Sequence, residues 1–232
     1  MRRVAPVLAL LLLVALSACT SDPKEAGSTT LTVLLDHGVT AAQKSVVEQR
    51  LLAMPSVEGV DFETRDQAYE KLRKDSPDLL ANLDPEHLPE SFRATVTDAL
   101  VAEAVDLVMG TVDGVGEVVL RIAAVDPLPA RIGVIVRLEP TATGEQRATV
   151  EEAVRALPHA ESVEFEDRDA AYERLRKQCQ GKGDLATQLN SQVTRASLRL
   201  RLPLNGRGRI TLPEIERLDG VEAVRLVPVA ML

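Results

Sequence analysis

"VDFETRDQAYEKLRK" occupies residues 60–74, and "VEFEDRDAAYERLRK" occupies residues 163–177. Each stretch reads as a strand running into a helix, and the second is the first shifted by 103 residues. The same shift aligns Ala53 with Ala156, Pro55 with Pro158, "LTVLL" (31–35) with "VIVRL" (134–138) and "TAAQ" (40–43) with "TGEQ" (143–146). Further on the shift becomes 106, where "VDGVGEVV" (112–119) faces "LDGVEAVR" (218–225). Similarity over this span is a tandem duplication of one structural unit.

Periodicity gives the unit its elements. "LTVLL" and "IGVIVRL" are rich in β-branched residues and read as strands. Thr40 with Gln43, and Thr143 with Gln146, have the spacing of capping boxes that open helices. Val47, Leu51 and Met54 form an apolar stripe that recurs as Val150, Val154 and Leu157, and Pro55 and Pro158 end the helices. Alternation in "VEGVDFE" and "AESVEFE" predicts half-buried strands with Val60, Phe62, Val163 and Phe165 inward. A second helix follows, with Ala68 and Leu72 inward. After an insert come the strands "SFRATV" and "SLRLRL". The helix "ALVAEAVDLVMGTV" presents Val101, Val105 and Val108, and its counterpart "TLPEIERL" pairs Thr211 with Glu214 as a capping box. Gly114 and Gly220 follow the helices, and strands close each copy. Each copy therefore reads βαβ, helical insert, βαβ. The predicted fold class is α+β: two tandem ferredoxin-like modules with antiparallel sheets and helices on one face.

Composition excludes several functions. Apolar residues make up 45% of the chain, enough for two cores, but aromatics are only 2%, so no stacking platform for bases is available. A formal charge of −8 gives no footprint for a phosphate backbone, so no nucleic-acid partner is expected. His37, His87 and His159 are isolated in sequence, and no HExxH, CxxC, GxSxG or P-loop pattern occurs. No catalytic residue, metal site or cofactor is expected, and the chain reads as a non-enzyme. Arg65-Asp66 and Arg168-Asp169 read as helix starts, with the aspartate in the first turn where the helix dipole favours it.

The N-terminus carries an address. Arg2 and Arg3, the apolar run Val4–Leu16 and Leu16-Ser17-Ala18-Cys19 read as a lipoprotein signal, with Cys19 as the lipidated residue. Two acyl chains hold a protein firmly at a membrane. The expected organisation is a signal peptide (1–18), a tether (19–29), module 1 (30–122), a linker (123–131) and module 2 (132–232). With Cys19 lipidated, Cys179 has no intrachain partner, and its setting in "RKQCQGKG" reads as a turn with an incidental thiol. The expected location is the outer face of the cytoplasmic membrane.

The inserts are where the copies disagree. "KDSPDLLANLDPEHLPESF" (74–92) has helix-start signals at Ser76-Pro77 and Asp84-Pro85. Its Leu79, Leu80, Leu83 and Leu88 are candidates for an exposed, partner-binding lobe. Copy two keeps Leu185 and Leu189 but gains two glycines, and a less ordered loop is expected there.

"MPSVEGVDFETRDQAYEKLRK…SPDLLANLDPEHLPESFRATV…VDGVGEVV" resembles the extracellular domain of the bacterial cell-division protein FtsX. The residues that carry the resemblance are Pro55, Val57, Arg65, Ala68, Tyr69, Leu79, Leu80, Asn82, Leu88, Pro89, Ser91 and Phe92. It covers nearly all of 31–121 and, more weakly, 132–229. The resemblance implies an extracytoplasmic module whose helical lobe contacts peptidoglycan hydrolases or their activators. FtsX itself has four membrane helices and an ATPase partner. Here no hydrophobic span follows the signal, His87 stands where the family has a proline, and copy two lacks that segment. The binding module is what transfers. The expected function is a lipid-anchored protein-binding module engaging an envelope hydrolase or division component through the insert of module 1. The alternative is a receptor for a small ligand or cell-wall polymer in a cleft between the modules.

Overall fold

The computed structural model describes residues 29–77, 84–122, 129–203 and 212–232. Module 1 runs β1 (Thr29–Leu35), α1 (Ala41–Ala53), β2 (Val57–Glu63), α2 (Arg65–Asp75), a 3-10 turn (Pro85–His87), β3 (Ser91–Val96), α3 (Ala99–Met109) and β4 (Val115–Ile122). Module 2 runs β5 (Arg131–Leu138), α4 (Gly144–Arg155), β6 (Glu161–Glu166), α5 (Arg168–Gln178), α6 (Asp184–Gln188), β7 (Ser197–Pro203), α7 (Leu212–Glu216), β8 (Val221–Val227) and a 3-10 turn (Val229–Met231).

The strand orders are β2-β3-β1-β4 and β6-β7-β5-β8, with antiparallel pairing throughout. This is the split βαβ arrangement of a ferredoxin-like sheet, once per copy. Even the irregularities repeat. Register shifts at Leu34/Leu35 and Glu58/Asp61 recur at Arg137/Leu138 and Glu161/Glu164.

Local chemistry sets the helix starts. Thr40 and Gln43, and Thr143 and Gln146, form complete capping boxes. A third box, Thr64 with Gln67, opens α2, and Asp167 caps α5 through the amide of Ala170. The proposed Thr211 capping box lies outside the described residues. Gly114 and Gly220 turn the chain after α3 and α7 at φ +86° and +87°. A Cβ on Gly114 would stand 2.5 Å from the Val39 side chain, so glycine is required there on two counts.

The two copies do not pack as independent sandwiches. In module 1, Leu31, Val33, Phe92, Val96, Val118 and Leu120 meet α1 and α3 on one face of the sheet. In module 2, Val134, Val136, Leu198 and Leu200 similarly form a cluster with Val150, Val154 and Ile215 from α4 and α7. The opposite face of the second sheet contributes Ile135 and Val227 to the core of module 1, together with Leu175, Cys179, Leu185 and Leu189. The bridge is α3, which is buried from Val101 to Met109. It lies between its own sheet and module 2, as a helix apolar on nearly every side must.

Three expectations are corrected here. The insert of copy two is not a loose loop: Gly181 and Gly183, at positive φ, lead into α6, and Leu185 and Leu189 are buried against α3 and α5. Cys179 is not in an exposed turn; it ends α5 with its side chain inside the shared core. Phe62 and Phe165 are 38% and 37% exposed, because they lie on edge strands. Their rings carry a cation instead: Lys44 sits 5.4 Å from the Phe62 centroid and Arg147 sits 4.9 Å from that of Phe165. Both pairs match at the 103-residue shift.

Burial pushes the Cys179 thiol up to about 11. A thiol that is both buried and protonated is a poor nucleophile. Labelling of Cys179 by a maleimide at pH 7 is expected to be negligible in the folded protein and complete in denaturant, as read by mass spectrometry.

Candidate functional site

The insert of module 1 is held at both ends. At its start Ser76 caps α2. At its return Asp84 accepts from the Glu86 amide and opens the 3-10 turn, as the Asp84-Pro85 signal implied. Arg65 donates from Nε to the Leu88 carbonyl at 3.0 Å, so this arginine ties the insert to the start of α2. Leu88, expected on the exposed lobe, is only 7% exposed. Leu79, Leu80, Leu83 and Cys19 lie outside the described residues.

The second feature is the junction between the copies. Glu103 and Asp106 project from α3 into module 2 and are buried. Glu103 receives two nitrogens of Arg199, each 3.1 Å from a carboxylate oxygen, and Nη2 of Arg174 at 3.0 Å. Asp106 receives Arg137 at 2.9 Å and Arg225 at 3.4 Å. Arg199 also donates to the Met231 carbonyl, and Arg225 to the Val118 carbonyl. The arginines come from β5, β7, β8 and α5, so four elements of module 2 grip one helix of module 1.

Burial alone would push the Glu103 carboxyl up, but Arg199 and Arg174 outweigh it and hold the group below its ordinary value of 4.5. A carboxyl with a depressed folded-state pKa contributes stability that is complete above its unfolded value and is lost as pH falls through the folded one. The urea midpoint is therefore expected to fall as pH drops below about 4.5, and Glu103→Gln is expected to flatten part of that dependence.

The triad around Glu103 repeats in module 1 without α3. Glu63, Lys71 and Arg93 correspond to Glu166, Arg174 and Arg199. Arg93 lies 3.4 Å and Lys71 3.8 Å from Glu63, as Arg199 lies 3.3 Å and Arg174 2.7 Å from Glu166. None of these groups was singled out from the sequence. The available signal was the pair of replacements Leu34 to Arg137 and Val119 to Arg225 between copies, matched to two acids in an otherwise apolar helix.

A shallow hollow of ≈ 390 Å³ lies in module 2 beside the N-termini of α4 and α5, lined in part by Thr143, Arg147, Phe165, Arg168 and Arg195. It is not between the modules. The helix α3 packs between its own sheet and the second sheet among the described residues. Among the described residues, no group of three or more His, Cys, Asp or Glu side chains is placed to hold a metal ion, and no helix is long and apolar enough to cross a membrane.

Comparison with known proteins agrees with the internal symmetry. Residues 28–130 and 131–227 each match the FtsX extracellular domain. The chain belongs to the FtsX extracellular domain family. It carries the domain twice, and the two matches meet where β5 begins. Family membership points to a cell-division-related extracytoplasmic module near the membrane; FtsX extracellular domains are a regulatory, non-catalytic family that in general interacts with activators of envelope hydrolases. No curated protein matches the chain. Among solved structures, the crystal structure of the siroheme decarboxylase NirDL in co-complex with an iron-uroporphyrin III analogue is similar at 11% identity, covering 89% of this chain and 72% of that one. Its TM-score of 0.25 carries no argument.

Proposed function

We propose that this protein is a non-enzymatic, lipid-anchored docking protein at the outer face of the cytoplasmic membrane. In this reading residues 1–18 are a signal peptide and Cys19 carries the lipid. A tether spans 19–29, module 1 spans 30–122, a linker spans 123–131, and module 2 (132–232) braces module 1. The partner is a peptidoglycan hydrolase or its activator, engaged through Leu79, Leu80 and Leu83, with Leu88 as the buried foot of the same insert.

The observation that carries the reading is the paired family match, joined to an insert pinned at its return by Arg65 and Asp84. A segment anchored at its base has less entropy to lose on binding, which favours docking through it. Module 2 lacks the equivalent surface, because Leu185 and Leu189 are spent inside the shared core.

A photocrosslinking residue placed at Leu80 or Leu83 in cells is expected to capture an envelope hydrolase or hydrolase activator. Capture of no envelope protein from either position, while the exposed Val46 and Leu52 on α1 crosslink readily, would sink the proposal. Cys19→Ser is expected to move the protein out of the membrane fraction; retention there would exclude lipidation at Cys19.

A further inference from the structure

The hollow in module 2 has an internal control, because module 1 shows the same place filled. At the 106-residue shift, Leu88, Pro89, Glu90 and Ser91 become Thr194, Arg195, Ala196 and Ser197. The chain follows the same path in both copies. The Leu35 amide donates to the Glu90 carbonyl at 2.9 Å, and the Leu138 amide donates to the Ala196 carbonyl at 2.9 Å. The side chains differ. In module 1 the Glu90 carboxylate pairs with Lys44, and Arg65 donates to the Leu88 carbonyl. Both cations are half-buried there. In module 2 the methyl group of Ala196 replaces the Glu90 side chain, and Arg147, the counterpart of Lys44, is exposed. Among the described residues, no carboxylate pairs with Arg147, whose guanidinium lies 4.9 Å from the Phe165 centroid. The carbonyl at the Leu88 position is taken by Arg195, with Nη1 3.2 Å from the Thr194 oxygen. Arg168, the counterpart of Arg65, is exposed, and Asp169 stands 3.9 Å from it.

Arg147, Phe165, Arg168 and Ala196 all line the hollow of ≈ 390 Å³. Arg195, Glu139, Asp167 and Asp169 line it too, so three arginines meet three acids and there is no basic field. Selectivity comes from which groups are engaged. Asp167 accepts from the Ala170 amide as the cap of α5, and Arg195 pairs with Glu222. The matching positions of module 1 carry two cations, Lys44 and Arg65, and three acids, Asp36, Asp66 and Glu90. The same frame therefore holds one more carboxylate than module 2 supplies.

We propose that the hollow of module 2 binds a glutamate or aspartate side chain of another protein, with its carboxylate on Arg147 in the place that Glu90 takes on Lys44. A peptide carbonyl beside that acid accepts from Arg168, as the Leu88 carbonyl accepts from Arg65. The Phe165 ring steadies the Arg147 guanidinium from one side, and the N–H edge meets the carboxylate. A protein side chain is the occupant because module 1 holds one there, two residues from the carbonyl that Arg65 binds. The site lies apart from the leucine-rich insert and does not rest on the docking function proposed for it.

The test titrates the full chain by NMR with the blocked tripeptide Gly-Glu-Gly, and with Gly-Gln-Gly as the uncharged control. The glutamate peptide is expected to shift Arg147, Phe165 and Ala196, and the glutamine peptide to leave them in place. Arg147→Ala removes an exposed side chain and is expected to abolish the shifts. Ala196→Glu supplies the carboxylate within the chain, as module 1 does, and is expected to abolish them as well. Glu90→Ala opens the matching place and is expected to add a second set of shifts at Lys44 and Phe62. A thermal melt of each variant guards against unfolding. Equal binding of the glutamine peptide, binding that survives Ala196→Glu, or no shifts at all would each overturn the proposal. So would tighter binding of glutarate than of the peptide, since the ligand would then be a free dicarboxylate. Self-association that Arg147→Ala abolishes would make the occupant a second copy and overturn it too. Capture from Leu80 with no tripeptide binding removes this inference and leaves the docking function standing.

Discussion

Asp106→Ala is expected to destabilise the protein by about 3–5 kcal/mol, the range for removing one partner of a buried ion pair. The aspartate lies between Arg137 and Arg225, and all three side chains are buried. Truncation leaves two guanidinium groups facing a small cavity. Glu117, 4.0 Å from Arg225 and much more exposed, is a weaker counter-charge than the one lost. Burial already pushes the Arg225 guanidinium below its ordinary value, so losing its main counter-charge exposes the desolvation cost directly. For a chain of this size the loss corresponds to a fall in Tm on the order of 10 °C. A change under about 1 kcal/mol in urea unfolding would mean that α3 is not clamped as described.

The second large effect comes from a matched pair. Leu175→Ala is expected to cost about 2–5 kcal/mol, the range for a core leucine, whereas Leu72→Ala at the duplicated position is expected to cost well under half as much. The two leucines hold the same place in corresponding helices, within "EKLRK" (70–74) and "ERLRK" (173–177). They differ because Leu175 is completely buried where α5 packs against α3, while Leu72 stays half-buried. Equal costs would show that α3 adds nothing to the burial of α5.

The sequence disclosed whatever is local. Strand alternation, the Thr–Gln capping boxes and the duplicated apolar stripes each reflect contacts within a few residues, and each element formed as read. The sheet order followed from duplicated βαβ units. The role of α3 was hidden because it depends on contacts 31 to 119 residues away in the chain. Val101, Val105 and Val108 were legible as one face. Glu103 and Asp106 drew no reading, and only the arginines of module 2 reveal them as a second buried face. Phe62 and Phe165 misled for the opposite reason. Alternation assigned them the correct side of the sheet, but could not show that edge strands run past the helices that would cover them. Cys179 and α6 were misjudged because their glycines signal a turn, and a turn is compatible with burial when another module lies above it.

One measurement tests directly whether the two copies are joined through α3. A double-mutant cycle on Glu103 and Arg199 compares the unfolding free energies of Glu103→Ala, Arg199→Ala and the double variant. Residues in one buried network couple, and an interaction energy of about 1–3 kcal/mol is expected here. Additive effects, with a coupling near zero, would mean that α3 and the second sheet do not meet, and the account of two FtsX extracellular domains fused into one body would be wrong.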